Sequence, residues 1–279
     1  MAPKKAAHAA RAVTSPSTLV PGKASTRTRR RFIIIYGAPK GRKTTTASTL
    51  DPSRTKWIVS DSNCIPTLVA MDRLPPDENL YEVSSIPECI ALVNSWLDVA
   101  DKEGFEALGI DSVVVDSATQ FSDWHQQDVA KNSGQRFMGD NAKNNGWQQF
   151  NAEFGQFLDG LAILAKHVNV ILICHAKEKP DLTKGEWASI NLSPQMSLKA
   201  GRLANWVFFQ TCKDVPVEAK ATVDEYIQNI IESRDGSRSG KEVVLNTQPV
   251  GAWIAAGPPS LKAEEPGNLQ KLLEKEGLL

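Results

Sequence analysis

The chain has 279 residues, 41% of them hydrophobic, and its 32 basic residues balance its 32 acidic residues. This length and apolar content fit one large folded domain or two small ones and exclude a fully disordered chain. No segment approaches the roughly 20 consecutive apolar residues that cross a bilayer, so we expect no membrane partner. Four scattered cysteines and four histidines show no zinc-ligand or redox spacing. Their pattern indicates a reducing compartment such as the cytoplasm and no metal held by these residues.

The neutral total charge includes a strongly basic N-terminal segment. Residues 1–31 contain eight Lys or Arg residues and no acid, which leaves 24 basic and 32 acidic residues, a net charge of −8, for the rest. The segment is rich in Ala, Ser, Thr and Pro, a composition that predicts disorder. Three interpretations stay open: an arm that binds nucleic-acid phosphates, an organelle transit peptide, or a solvated tail without a role.

Strands and helices alternate from residue 32 onward, which predicts an α/β fold with helices covering a mostly parallel sheet. Buried parallel strands are predicted at 32–36, 56–60, 111–117 and 168–174. Helices are predicted from residue 43, at 86–104 and at 147–167. Antiparallel strands are predicted on the C-terminal side, at 205–212, 224–233, 242–247 and 251–256. The predicted core is 32–257, followed by a linker and a short helix within 258–279.

The turn after the first strand matches the phosphate-binding pattern G-x-x-x-x-G-K-[ST], except for an arginine at its sixth position. The predicted nucleotide-binding residues are Gly37, Ala38, Pro39, Lys40, Gly41, Arg42, Lys43, Thr44 and Thr45. In this pattern backbone N–H groups surround phosphate oxygens, the lysine reaches the β- and γ-phosphates, and the hydroxyl binds Mg²⁺. Lys43 is therefore a catalytic candidate and Thr44 a metal ligand. We expect Gly41 to supply the backbone freedom and Arg42 to adopt helical or bridge dihedrals; the alternative is a strand–turn–helix with chance glycines.

A carboxylate stands where such a loop requires one. Asp116 ends the predicted strand "SVVVD", and P-loop ATPases hold Mg²⁺ through water with a carboxylate at this place. Any strand can end in Asp, but the position of this strand after the loop strengthens the interpretation. The sequence therefore predicts ATP and Mg²⁺ as ligands.

Several segments together resemble one family. "VVVDSATQF" (113–121) resembles the RecA-type Walker B strand and is unlike the Asp-Glu pairing of AAA+ proteins. "VILICHAKEK" (170–179) resembles the next RecA-core strand, which ends in a polar sensor residue. "LKAGRLANWVFFQTC" and "YIQNIIESRDGSRSGKE" resemble the later helix and strands. The likeness covers about 32–257 and is closest to the short RecA-like ATPases of bacteriophages that work with single-strand annealing proteins.

The resemblance implies roles for three further residues, each with an alternative. Asp61 follows a strand similar to the one that ends in the water-activating carboxylate, so it is the candidate general base; otherwise it caps a turn. His175 takes the place of the γ-phosphate sensor, unless it is only hydrogen-bonded locally. Arg234 resembles a finger that acts on a neighbouring subunit's site, with Arg238 and Lys241 as rivals and a solvated hairpin turn as the alternative.

The same resemblance implies two DNA-contacting loops, at 125–146 and 176–197. Cations interleaved with an aromatic residue suit single strands, because phosphates attract the cations and bases stack on the ring. The candidate DNA-binding residues are Lys131, Arg136, Lys143, Lys177, Lys179, Lys184 and Trp187. Ordinary surface loops are the alternative, and no element that reads base sequence is visible.

The sequence thus favours a DNA-dependent ATPase that forms a ring or filament on single-stranded DNA and promotes annealing or strand pairing. A single-strand annealing or single-strand-binding protein is the expected partner, and the compartment is the host-cell cytoplasm if the chain is phage-encoded. Two alternatives stay open. One is a helicase-loading or packaging motor on the same core, and the other is a nucleotide-dependent switch that hardly hydrolyses ATP.

Overall fold

The computed structural model of the chain describes residues 30–60, 64–140, 146–177, 189–214, 241–249 and 255–279. Eight strands in these residues form one sheet, in the order β3-β2-β4-β5-β1-β6-β7-β8. They are β1 (Phe32–Gly37), β2 (Thr55–Val59), β3 (Leu80–Glu82), β4 (Ser112–Asp116), β5 (Asn169–His175), β6 (Trp206–Asp214), β7 (Lys241–Asn246) and β8 (Glu264–Pro266). Neighbours from β3 to β6 pair in parallel, whereas β6–β7 and β7–β8 are antiparallel. The predicted α/β class with antiparallel C-terminal strands is confirmed.

The central strands are continuous apolar runs because helices cover both of their faces. Every residue of β1 is buried, and so is every residue of β5 before its last. In the sheet β5 lies between β1 and β4, so the turn after β1 and the carboxyl end of β4 meet at the same edge. In open α/β sheets ligands bind at the carboxyl ends of the strands.

Seven α-helices are described, and serine side chains cap the starts of two of the long ones. They are α1 (Lys43–Ala47), α2 (Ile65–Ala70), α3 (Ile86–Glu103), α4 (Ala118–Asn132), α5 (Gly146–Leu164), α6 (Pro194–Leu203) and α7 (Leu269–Lys275). The side chain of Ser85 caps α3, and that of Ser117 caps α4, each by accepting a backbone N–H bond from the first turn. Gly104 ends α3 with a φ of 89°, which a glycine adopts without steric cost. None of the described helices has the length and apolar character needed to cross a membrane.

The core consists of two layers, one on each face of the sheet. Helices α3, α4, α5 and α6 cover one face, where Phe150, Phe154 and Phe157 of α5 are almost fully buried. The short helices α1, α2 and α7 cover the other face, where Leu272 and Leu273 pack with residues of β1 and β5. The face with the short helices also carries the phosphate loop.

The predicted loop at residues 125–146 is wrong for its first part, because α4 continues to Asn132. Phe121, His125 and Val129 recur at the four-residue spacing of a helix, and all three are buried. The helical face continues through a histidine, so the spacing of apolar residues alone does not reveal this helix. Lys131 accordingly lies in the last turn of α4 rather than in a loop.

The C-terminal residues add to the fold on the face of the short helices. The expected short helix is present as α7, and the preceding segment, expected as a linker, contains the edge strand β8. The N–H of Leu269 donates to Thr49 Oγ1 at 2.9 Å, which joins the start of α7 to the residues just after α1. The carbonyl of Leu278 accepts a 3.0 Å bond from the buried side chain of Asn169 at the start of β5.

Part of the predicted C-terminal strand pattern lies outside the described residues. This is true of the strand predicted at 224–233 and of positions 251–254 in the one predicted at 251–256. The described end of the latter segment forms an isolated antiparallel bridge between Ala256 and Val207 of β6.

Leu273→Ala should lower the free energy of unfolding by about 2–5 kcal/mol, because it leaves a cavity between α7 and the sheet. Leu198→Ala is the control, since 55% of the Leu198 side chain is exposed, and it should change that free energy by less than about 0.5 kcal/mol. Urea denaturation measures both values. Equal, small losses for the two variants would contradict the packing of α7 against the sheet.

Candidate functional site

The turn between β1 and α1 requires glycine at two positions for reasons of space. A Cβ atom at Gly37 would lie 2.5 Å from the carbonyl oxygen of Gln210 on β6. A Cβ atom at Gly41 would lie 2.8 Å from the carbonyl oxygen of Ala38, which accepts the Gly41 N–H bond at 3.0 Å. Both separations are too short for any side chain, so the tight course of the loop depends on these residues.

The predicted dihedrals of the loop are wrong. Arg42 lies in the left-handed region, with φ 61° and ψ 26°, rather than in a helical or bridge conformation. Lys40 also has a positive φ, of 57°, whereas Gly41 does not. Glycine at position 41 therefore allows the close approach of the backbone to Ala38, whereas Lys40 and Arg42 adopt left-handed conformations although they carry side chains. Alternation of right- and left-handed residues directs successive backbone N–H groups into one concavity, which suits an anion.

The ammonium group of Lys43 lies under this loop. The residue is 5% exposed, and its Nζ donates to the carbonyl oxygens of Ala38 at 2.7 Å and Gly37 at 3.2 Å. Burial lowers the pKa of Lys43 from its ordinary value, and the charge of Asp116 opposes that change. The neighbouring Cys174 thiol stays neutral, because burial raises its pKa to about 12. Lys43 thus places a positive charge directly beneath the concavity that the loop forms.

Thr44 and Asp116 meet across the sheet edge. The hydroxyl of Thr44 donates to Asp116 Oδ2 at 2.6 Å, although 72 positions separate the two residues. Only β5 separates β4 from β1 in the sheet, so the carboxyl end of β4 lies close enough to the start of α1 for this contact. A hydroxyl and a carboxylate oxygen therefore lie next to the lysine, as the loop pattern requires of a Mg²⁺ site.

The two oxygen groups fit magnesium better than a softer metal. Mg²⁺ retains several waters and takes one or two protein carboxylates together with substrate phosphates. Thr44 and Asp116 supply such a partial set of hard oxygen ligands. Among the described residues no group of three or more His, Cys, Asp or Glu side chains could hold a metal alone. The residues present thus fit Mg²⁺ that arrives with a phosphate ligand.

Ser60 holds the carboxyl end of β4. The N–H of Ser60 donates to the carbonyl of Asp116 at 2.9 Å, and Ser60 Oγ accepts the N–H of Ser117 at 3.2 Å. The peptide between Asp116 and Ser117 is cis. The sequence analysis missed Ser60, because only the pairing of β2 with β4 brings it beside Asp116.

His175 lies beside the first glycine of the loop. It is the last residue of β5, and its Cα pairs with that of Gly37 in the parallel register. Its N–H donates to Thr119 Oγ1 at 2.9 Å, and the Thr119 hydroxyl donates to the carbonyl of Asn191 at 3.1 Å. Thr119 thereby joins the start of α4, the end of β5 and the segment before α6.

Gln210 is a site residue that the sequence analysis did not identify. It lies on β6, the other neighbour of β1, with its Cα paired to Gly37. Its side-chain Nε2 donates to the carbonyl of Gly41 at 2.5 Å. No local motif marks this residue, because it reaches the loop only through the order of strands in the sheet.

The cations predicted to contact DNA are exposed where the structure describes them. Lys131 and Arg136 are both exposed, and next to them 62% of the Phe137 side chain is accessible. The second segment starts from a short antiparallel pairing, in which Ala176 bridges Ile190 and the Lys177 N–H donates to the Ser189 carbonyl. Lys177 is exposed at this base.

Six predicted site residues lie outside the described residues, so their roles stay predictions. They are Asp61, Lys143, Lys179, Lys184, Trp187 and Arg234. The structure brings together the remaining candidates at the nucleotide end, namely Lys43, Thr44, Asp116 and His175, at one edge of the sheet.

A family model described as an AAA domain matches residues 29–249. The matched span includes the phosphate loop, the strands β4 and β5 that end in Asp116 and His175, and the two candidate DNA-contacting segments. A comparison with curated proteins found no match.

Arg42→Gly should raise the free energy of unfolding by up to about 1.5 kcal/mol. Relief of a left-handed side-chain residue gains roughly 1–2 kcal/mol, and the greater freedom of glycine in the unfolded chain costs about 0.4–1 kcal/mol. Mg-ATP affinity should be kept or raised. Calorimetric titration and urea denaturation measure the two effects.

The control is Arg73→Gly, which makes the same replacement at an exposed arginine without positive φ, and should destabilise slightly. A large loss of Mg-ATP affinity in Arg42→Gly would contradict this expectation and show that the arginine side chain itself binds phosphate.

Proposed function

The chain belongs to the AAA-domain family of P-loop ATPases, and we propose from this premise that it binds and hydrolyses ATP while assembled on single-stranded DNA. The proposed role is annealing or strand pairing in recombination. The family match and the fold support the nucleotide part of this proposal. The exposed cations Lys131, Arg136 and Lys177, the basic N-terminal segment and the RecA-like sequence resemblance support the DNA part.

One observation carries the nucleotide part. An ammonium, a hydroxyl and a carboxylate from Lys43, Thr44 and Asp116 lie together at the carboxyl ends of two strands that are not adjacent. Burial of a lysine is costly, and a fold gains little from directing it at two loop carbonyls. An arriving triphosphate gives the same ammonium a stronger, oppositely charged partner.

Each of the three residues has a role in phosphoryl transfer. Lys43 Nζ exchanges the carbonyls of Gly37 and Ala38 for β- and γ-phosphate oxygens, and its charge offsets the charge that develops on the transferred group. Thr44 and Asp116 hold Mg²⁺, which when bound neutralises charge on the β- and γ-phosphates. Asp61 is the proposed base that orients and deprotonates the attacking water, and Arg234 of a neighbouring copy is the proposed finger.

The candidate DNA-contacting segments leave the sheet at the same edge as the phosphate site. The first follows α4, which begins directly after Asp116, and the second follows His175 at the end of β5. Lys131, Arg136 and Phe137 give the first segment two cations and an accessible aromatic ring. Phosphate attraction combined with base stacking is the usual basis for binding single strands without sequence preference.

A chain of hydrogen bonds supports coupling between the two activities. Thr119 contacts the backbone of His175, directly before the second candidate segment, and the backbone of Asn191 within that segment. A shift of His175 toward or away from a γ-phosphate would therefore act on the start of that segment and, through Thr119, on Asn191 within it. We propose that nucleotide state alters DNA contact by this route.

Assembly is part of the proposal for a chemical reason. A finger from a second copy completes the charge of the site only in an oligomer, so ATP turnover should depend on protein concentration and on DNA that gathers the copies. A single-strand annealing or single-strand-binding protein is the proposed partner, on the basis of the sequence resemblance.

Single-stranded DNA should stimulate ATP turnover, and Lys43→Ala should reduce the stimulated turnover by at least about 10²-fold, because a charge-stabilising group is lost. Phosphate release at saturating ATP, with and without an unstructured oligonucleotide, measures both effects. Lys166→Ala is the control, because Lys166 is exposed in the turn before β5, at the opposite edge of the sheet.

Near-normal turnover in Lys43→Ala would contradict the assignment of the phosphate loop. ATP binding without turnover in the wild type would favour the switch. Turnover that single-stranded DNA leaves unchanged would favour a motor with another activator.

Deletion of residues 1–29 should weaken single-stranded DNA binding and make it less sensitive to salt. The deleted segment carries six of the eight N-terminal cations, and Arg30 and Arg31 remain in the described fold. Each phosphate contact contributes roughly 0.7 to the slope of log affinity against log salt, so the slope should fall by up to about 4. A variant with the same residues 1–29 in shuffled order is the control and should bind like the wild type. An unchanged slope after deletion would contradict an electrostatic role for the segment.

A further inference from the structure

One buried residue contacts both ends of the phosphate loop. Gln210 is 2% exposed and lies on β6, where its backbone is the register partner of Gly37 at the start of the loop. Its side-chain Nε2 reaches the carbonyl of Gly41 at the far end of the loop. The loop is therefore attached to β6 twice, once through a backbone pairing and once through an amide.

The contact with Gly41 determines the direction of the next N–H group. In a planar trans peptide the carbonyl of one residue and the N–H of the following residue point to opposite sides. Gln210 draws the Gly41 carbonyl toward β6, so the Arg42 N–H is directed away from β6. Arg42 is also left-handed, and its carbonyl accepts the first bond of α1, from Thr46. The orientation of one peptide plane thus decides whether the Arg42 N–H can meet a phosphate.

Besides donating this hydrogen bond, the side chain of Gln210 places a second polar atom, Oε1, in the interior of the fold. Among the described residues its Oε1 has no hydrogen-bond partner, although the atom is buried. A buried carbonyl without a partner is destabilising, and an apolar side chain of similar size would fill the same space without it. Packing alone therefore does not account for an amide at this position, whereas a donor directed at Gly41 does.

Asn246 provides a comparison on the adjacent strand. It is a second buried side-chain amide, 3% exposed, and its Nδ2 donates to the carbonyl of Phe209 at 2.7 Å and to Thr211 Oγ1 at 3.1 Å. These bonds stay between β6 and β7 and do not reach the phosphate loop. The two amides thus separate support of the sheet from support of the loop.

We propose that Gln210 is a positioning residue for nucleotide binding, which holds the Gly41 carbonyl toward β6 so that the Arg42 N–H faces the β-phosphate. This role rests on the proposed nucleotide function of the loop. Gln210 does not touch the phosphate; it acts through the peptide between Gly41 and Arg42. Because the orientation already exists before nucleotide arrives, the residue contributes to binding of substrate and transition state alike.

The test replaces Gln210 by methionine, which keeps the length of the side chain and removes both the donor and the acceptor of its amide. Gln210→Met should bind Mg-ADP about tenfold more weakly and raise the KM for ATP by a similar factor, with kcat within about threefold of the wild type. Its Tm without nucleotide should stay within about 4 °C of the wild type. Calorimetric titration, steady-state turnover and thermal unfolding give these values.

Two further variants complete the design. Gln210→Glu is similar in shape but replaces the donor by a carboxylate next to the Gly41 carbonyl, so it should bind Mg-ADP more weakly than Gln210→Met. Asn246→Leu is the control for support of the sheet. It should lower Tm and leave Mg-ADP affinity and the KM for ATP within about threefold of the wild type.

The outcomes separate this inference from the proposed function. A wild-type chain that does not bind Mg-ADP contradicts the proposed function itself. A wild-type chain that binds, with Gln210→Met binding equally well, overturns only the role of Gln210. Parallel losses of affinity and Tm in both Gln210 variants, or failure of both to fold, also overturn it, because the amide then supports the fold rather than the loop.

Discussion

The hydrogen bond between the Thr44 hydroxyl and Asp116 depends on one property of the fold, the insertion of β5 between β1 and β4. Because the three strands are parallel, their carboxyl ends form one edge, and side chains that are distant in sequence meet there. The buried apolar strands fix this edge, since a one-residue slip of β5 would displace His175 relative to Gly37. Every other element of the candidate site is placed relative to this edge.

The phosphate loop combines steric necessity at two residues with strain at two others. Gly37 and Gly41 have no room for a side chain, whereas Lys40 and Arg42 adopt left-handed dihedrals in spite of their side chains. Left-handed residues with side chains cost of order 1–3 kcal/mol each and persist when their surroundings hold them in place. Here the surroundings include the β6 strand, the Lys43 ammonium beneath the loop and the start of α1. The arginine in place of the usual glycine is thus compatible with the loop geometry.

Local chemistry made much of the site predictable from the sequence. Lys43, Thr44 and Asp116 belong to sequence patterns in which the spacing of the residues determines their roles. The long buried strands were located from their continuous apolar runs. Gln210, Ser60 and Thr119 were not predictable, because they reach the site only through strand order and register.

The first part of the loop predicted at 125–146 is a helix as far as Asn132, and the predicted dihedrals of Arg42 were wrong. In α4 a buried histidine continued the helical face, and in the loop the closure of the turn outweighed the residue's own preference. The short strands β3 and β8 have three residues each, too few for periodicity to identify them.

The two faces of the sheet differ in the helices that cover them. Long helices with interlocked aromatic side chains cover one face, and short helices cover the other. On the latter, Thr49 Oγ1 accepts N–H bonds from Leu269 and Gln270 and donates to the Thr46 carbonyl. A displacement of α1 at the loop must therefore either carry α7 with it or break these bonds. The C-terminal helix α7 is thus coupled to the helix that follows the phosphate loop. A movement that starts at the loop would be transmitted to α7 through the layer of short helices before it reached the aromatic layer on the other face.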